Sequence, residues 1–243
     1  MRRNAKRAEQ DQDAVIDGEF RAFVGDARFP CLAGKGSVHR GDYTLKVYGE
    51  LGTPAAARQL AADLGAFVAS IPADGAGLRT FAAVFADVVP PDELAFERAL
   101  WRQLQLLHRL DPSPDWDPAV SADPDDPQFA YSFGGRALFV VGLHPGSSRL
   151  SRRFAWPTLM FNPRAQFDRL RAEGRFERMR ALVRERDVAL QGSLNPNLAD
   201  FGHASEARQY SGRATEAAWR CPFHAGRAAA DDASGARRAG GGG

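Results

Sequence analysis

Apolar positions in this chain fall into short runs and longer periodic stretches, set apart by proline, glycine and acidic loops. The stretch "DYTLKVYGEL" (42–51) alternates as a half-buried strand does. "TPAAARQLAADLGAFVASI" (53–71) opens on a Thr-Pro cap signal and predicts an Ala-rich helix. "GLRTFAAVFADVV" (77–89) reads as a strand that Pro90 and Pro91 stop. "PDELAFERALWRQLQLLHRLD" (91–111) is strongly amphipathic, with Asp92 and Glu93 favouring the positive end of a helix. A Pro/Asp-rich surface loop (111–129) precedes two further strands, "RALFVVGL" (136–143) and "WPTLMFN" (156–162). Helices at about 163–173 and 175–191 follow, then an irregular polar segment. The pattern predicts a mixed α/β (α+β) protein: a single central sheet of few strands flanked by helices.

No linker divides the chain, so 14–225 reads as a single domain. Residues 1–13 read as a flexible N-terminus, and 226–243 as a disordered low-complexity tail. At 44% hydrophobic and 26% charged, the 243 residues fit an ordinary soluble globular protein. A net charge of +2 is too small to argue for nucleic acid. No segment approaches the ~18 to 20 apolar residues of a membrane helix, so no membrane partner is expected. The start "MRRNAKRAEQDQD" lacks an apolar signal region, and with two cysteines the expected location is a reducing cytoplasm. Lysine occurs only at Lys6, Lys35 and Lys46, so arginine dominates the cations everywhere and each cluster needs its own argument.

One junction stands out: "VVGLHPGSSRLSRRF" (140–154) ends an apolar strand in His144-Pro145-Gly146 and then sets down Arg149, Arg152 and Arg153. A lone histidine at a strand end is usually a surface or hydrogen-bonded residue. Here the turn fixes the imidazole, and if 147–154 turned as a helix the arginines would share one face. An imidazole beside cations suits a haem, whose iron needs an axial ligand and whose propionates need partners; it equally suits a phosphorylated ligand. Cys31, in "RFPCLAGKG" (28–36), and Cys221, in "WRCPF" (219–223), read first as inert thiols, with a thiolate iron ligand as the alternative. Zinc is disfavoured, since the chain has neither a CxxC pair nor HxxxH spacing. Glu97, Trp101, Gln105 and His108 share one helix face, more often a packing surface than a site. "SEARQYSGR" (205–213) is dense in hydrogen-bonding groups and is a candidate site.

Together these segments resemble the YqcI/YcgG family over roughly residues 20 to 224. The resemblance rests on "FPC", "ELAFERALWRQLQLLH", "FVVGLHPGSSRLSRRF", "FNPRAQFDRLR", "RDVALQGSLNPNLADFG", "SEARQYSGR" and "WRCPF", in that order. The chain carries Asn197 where the family pattern has methionine. Relatives in guanitoxin and cycloserine biosynthesis are haem-dependent N-hydroxylases. The resemblance therefore implies a b-type haem enzyme that uses O2 to hydroxylate a guanidine or amine nitrogen of an arginine-like molecule, with a reductase or ferredoxin as electron donor.

On that reading His144 is the axial ligand, with Cys31 as its rival, and Arg149, Arg152 and Arg153 hold the propionates. Burying a guanidinium substrate requires a carboxylate partner: Glu206 first, then Glu97. Gln209, Tyr210 and Ser211 supply donors near the reacting centre, with Arg213 beside them. Two readings from other classes compete. One is a haem carrier or sensor without turnover, and the other a phosphate-ligand binding protein built on the arginines.

Overall fold

A computed structural model describes residues 2–113, 115–199 and 202–226. The expected tail therefore lies outside the described residues, apart from Gly226. Strands β1 (Tyr43–Tyr48), β2 (Thr80–Phe85), β3 (Tyr131–Phe133), β4 (Arg136–Leu143) and β5 (Thr158–Pro163) form one sheet in the order β1-β2-β5-β4-β3. The β1–β2 pair is parallel and the other pairings are antiparallel. Helices α1 (Arg2–Gly25), α2 (Leu32–Arg40), α3 (Pro54–Ala69), α4 (Glu93–Leu110), α5 (Arg164–Ala172), α6 (Phe176–Gln191) and α7 (Ala207–Tyr210) flank it. The expected mixed α+β class with one sheet of few strands is the fold.

Side-chain alternation sorts the core onto two faces. Phe81, Ala83 and Phe85 of β2, with Leu159 and Phe161 of β5 and Leu138 and Val140 of β4, pack against α3 and α4 in the larger cluster. The intervening Ala82, Met160 and Leu143 turn the other way, onto Phe20 and Val24 of α1. All six residues of β2 are buried, which is why "TFAAVF" reads as a continuous apolar run rather than an alternation.

The helix starts follow local chemistry. Thr53 Oγ1 accepts from the Ala56 N–H at 3.3 Å with Pro54 in the first turn of α3, and Asp92 Oδ1 accepts from the Ala95 N–H at 2.7 Å at α4. Helix α1 runs back through residues 2–13, which the sequence predicts as a flexible N-terminus. Strand β3 pairs only residues 131–133 with 136–138, so the rest of β4 has an open edge, and α7 lies along it. At that edge a Cβ on Gly142 would stand 2.7 Å from Phe96 Cε1 and 2.8 Å from the Tyr210 carbonyl oxygen. Gly142→Ala is accordingly expected to destabilise the fold by about 1–3 kcal/mol, read as a lower midpoint in denaturant unfolding.

Candidate functional site

Part of the chemistry singled out by the sequence, His144 with Glu97, Ser211 and Arg213, lies around the C-terminal end of β4, beneath the first turns of α4. His144 is fully buried. Its backbone N–H donates to the Arg152 carbonyl at 3.0 Å, and its own carbonyl accepts from the Ser147 N–H at 3.1 Å, fixing the turn. The ring stacks on Phe96 with centroids 4.5 Å apart and planes 21° apart. Neither Nδ1 nor Nε2 has a hydrogen-bond partner among the described residues. Burial lowers its pKa against the opposing pull of Glu93 and Asp92, so the ring is held toward its neutral form. A buried imidazole with both nitrogens orphaned is costly unless something absent from the chain engages it.

The three arginines after it do not share a face, because the chain from Leu150 to Arg152 makes only one turn of 3-10 helix. Arg149 is buried against α6, where its guanidinium pairs with Asp187 and donates to the Ser193 carbonyl at 2.8 Å. Arg152 turns to the sheet edge and donates to the carbonyls of Gly142 at 3.0 Å and Gln209 at 3.3 Å. Gly212, at φ +82°, lets it pass: a Cβ there would lie 3.2 Å from Arg152 Cγ. Arg153 donates from Nε to the Ser147 carbonyl at 2.9 Å. Arg149 and Arg152 are thus spent on the protein's own acceptors. They do not fit the role of propionate partners, and Arg153 is the arginine of the three that the geometry leaves for it.

Above the same end of the strand, Glu97 is almost fully buried. It accepts from Ser211 Oγ at 3.2 Å and from Arg213 Nε and Nη2, each at 2.8 Å. Ser211, Arg213 and Glu97 are therefore brought together as one cluster, next in sequence to the Phe96 that covers His144. Glu206 is placed elsewhere. It accepts from Arg164 Nη1 at 2.8 Å, and Arg164 follows Pro163, the partner of Leu138 near the start of β4. His144 follows Leu143 at the other end of that strand. Five residues separate the two levels, roughly 17 Å at ~3.4 Å per residue. Glu206 and His144 do not share a pocket.

Tyr210 and Gln209 also serve the fold. Tyr210 stacks on Trp101 at 5.7 Å, and its hydroxyl accepts from the Tyr131 N–H at 3.0 Å. Gln209 Nε2 donates to the Ala199 carbonyl at 3.2 Å. Cys31 caps α2, its Sγ accepting from the Gly34 N–H at 3.4 Å, and burial pushes its thiol up, away from the thiolate. It packs on the α1 side of the sheet, whereas His144 faces α4, so the two cannot serve one iron from the same side. Burial likewise raises Cys221 to about 12. Among the described residues, no three His, Cys, Asp or Glu side chains form a metal-binding group, and no helix is long and apolar enough to cross a membrane.

The family model that matches this chain is that of the YqcI/YcgG family, over residues 20–224. The chain belongs to the YqcI/YcgG family. It is 29% identical over 215 residues to the uncharacterized protein YqcI of Bacillus subtilis (strain 168), covering 82% of this chain and 83% of that one. It is also 33% identical over 135 residues to the uncharacterized protein YcgG of the same organism, covering 53% of each. No solved structure matches.

Within this YqcI/YcgG fold, two groups emerge that sequence reasoning did not single out. Asp187 and Arg164 reach their partners only through tertiary contact, and nothing in "RERDVAL" or "FNPRAQF" announces it. Asn197 binds the site segment together: it donates to the carbonyls of Arg208 and Arg213 and accepts from the Thr215 N–H at 3.1 Å. The position where the family pattern has methionine is here a staple for residues 208–215.

Glu206 has a titration of its own. Burial raises its pKa to about 7 despite Arg164, and its Oε2 is buried without a partner. The folded state therefore holds this proton more tightly than the unfolded chain. Its contribution to stability is full below about pH 4.5 and is lost as pH rises through about 7, at ~1.4 kcal/mol per unit of displacement. Glu206→Gln should flatten the fall in unfolding free energy between pH 5 and 7, at roughly those values. An unchanged slope would show that Glu206 is ionised throughout.

Proposed function

We propose that this protein is a haem-dependent N-hydroxylase acting with O2 on a guanidine or amine nitrogen of an arginine-like small molecule, in the cytoplasm and with an external electron donor. The single observation that carries the reading is His144: an enclosed imidazole, held by burial toward its neutral form, with both ring nitrogens unpartnered among the described residues. It fits the ligand a haem iron needs, and haem when bound would supply O2 activation. His144 would hold the iron, with the Phe96 ring fixing the plane of the imidazole. Arg153 would meet one propionate.

Glu97, not Glu206, is the carboxylate at the His144 end of β4. Its Oε2 already holds both Nε and Nη2 of Arg213 while Oε1 takes the Ser211 hydroxyl, so substrate binding means exchanging one guanidinium for another. Ser211 keeps the carboxylate oriented during that exchange. The same pairing favours a second reading, a haem carrier or sensor, because Glu97 and Glu206 are each already paired with one of the chain's own arginines. The phosphate reading loses ground, since Arg149 and Arg152 are internally committed.

Product analysis separates the two surviving readings. The haem-loaded protein, given O2, a chemical or enzymatic reductant and arginine or related guanidines, should yield an N-hydroxylated product. Haem binding with no product from any guanidine or amine tested would leave a carrier.

A further inference from the structure

A cavity of about 610 Å³ lies between the start of α3 and the outer face of α4, and neither His144 nor Phe96 lines it. Arg98, Arg102 and Arg109 project into its wall from α4, at positions i, i+4 and i+11. Among the described residues none of the three has an ion pair or side-chain hydrogen bond, and no carboxylate lines the cavity. Like charges four residues apart on a helix repel, and an anion between them would relieve that repulsion.

The start of a helix points the same way. The positive end of the 16-residue helix α3, with Pro54 in its first turn, meets the cavity, where an anion gains from the helix dipole. Trp101, 3% exposed, backs the wall. The far wall is built rather than incidental. Gln105 accepts from the His224 N–H at 2.9 Å and donates to the His224 carbonyl at 3.0 Å, which pins the chain at Pro222 across from α3. Leu106, Pro54 and Pro222 give the cavity apolar surface between its cations.

We propose that this cavity binds an organic phosphate, its phosphate or diphosphate group held by Arg98, Arg102 and Arg109 and its apolar body seated on Pro54, Leu106 and Pro222. A volume near 610 Å³ suits such a small molecule. Three guanidiniums and a helix terminus supply more charge than a single carboxylate neutralises.

The test is calorimetric titration of the full chain with inorganic pyrophosphate and with ADP, at fixed haem content. Wild type should bind at least one probe, with affinity falling as salt rises. Arg98→Ala combined with Arg102→Ala should weaken binding by more than about tenfold, while Arg178→Ala on α6 leaves it unchanged. Circular dichroism shows whether each variant is folded; these exposed arginines make no contact whose loss would unfold the chain. No binding of either probe at millimolar concentration, or undiminished binding in the double variant, would overturn the proposal.

Discussion

His144→Ala is expected to strip the protein of haem while leaving it folded. The imidazole has no hydrogen bond to lose, so its removal costs packing against Phe96 and little else. Haem retention should fall by more than roughly tenfold, about 1.4 kcal/mol, which spectral titration with haem reads directly. Added free imidazole can enter the space vacated beside Phe96 and should restore the haem spectrum. A merely structural histidine would behave in the opposite way: a lower melting temperature, an unchanged haem titration and no response to imidazole.

The second large effect lies at Asp187. Its carboxylate is the partner of Arg149, and both side chains are close to fully buried. Asp187→Ala leaves a guanidinium inside the protein with only the Ser193 oxygens for company. Breaking a buried pair from one side costs about 3–5 kcal/mol, far more than the intact pair contributes. The variant should therefore unfold at much lower denaturant. The replacement of both partners, Arg149→Met with Asp187→Leu, should recover most of the loss. Equal destabilisation in the single and double variants would mean that the pair is not the source of the effect. Because Arg149 also anchors the turn that follows His144, the single variant should loosen haem binding as well.

The sheet and the longer helices were legible because their patterns are local. "RALFVVGL" is β4 residue for residue, and the 3.6-residue periodicity of 91–111 leads to α4 at Glu93–Leu110. Helices α1 and α2 escaped for local reasons too. The first begins in a charged stretch with no cap signal, and the second, "LAGKGSVHR", contains two glycines and is capped by a cysteine. Three-residue β3 is too short to show a period.

At the site, the position of His144 at a strand end followed from the sequence. Its enclosure did not, since Phe96 reaches it from an element 48 positions away in the chain. The arginines were expected to act together because helical spacing would align them; two serines and a single 3-10 turn send them in three directions instead. The choice between Glu206 and Glu97 could not be made from sequence, because it depends on which end of β4 each reaches. That is fixed by the antiparallel register of β4 and β5.

The central claim is a haem held through His144, and the absorption spectrum of the reduced protein under carbon monoxide tests it most directly. After reconstitution with haem, the ferrous–CO adduct is predicted to absorb at the position of histidine-ligated haems, and His144→Ala should abolish that band. Absence of haem absorbance in the reconstituted wild type, or a strongly red-shifted thiolate band that survives in His144→Ala, would contradict it.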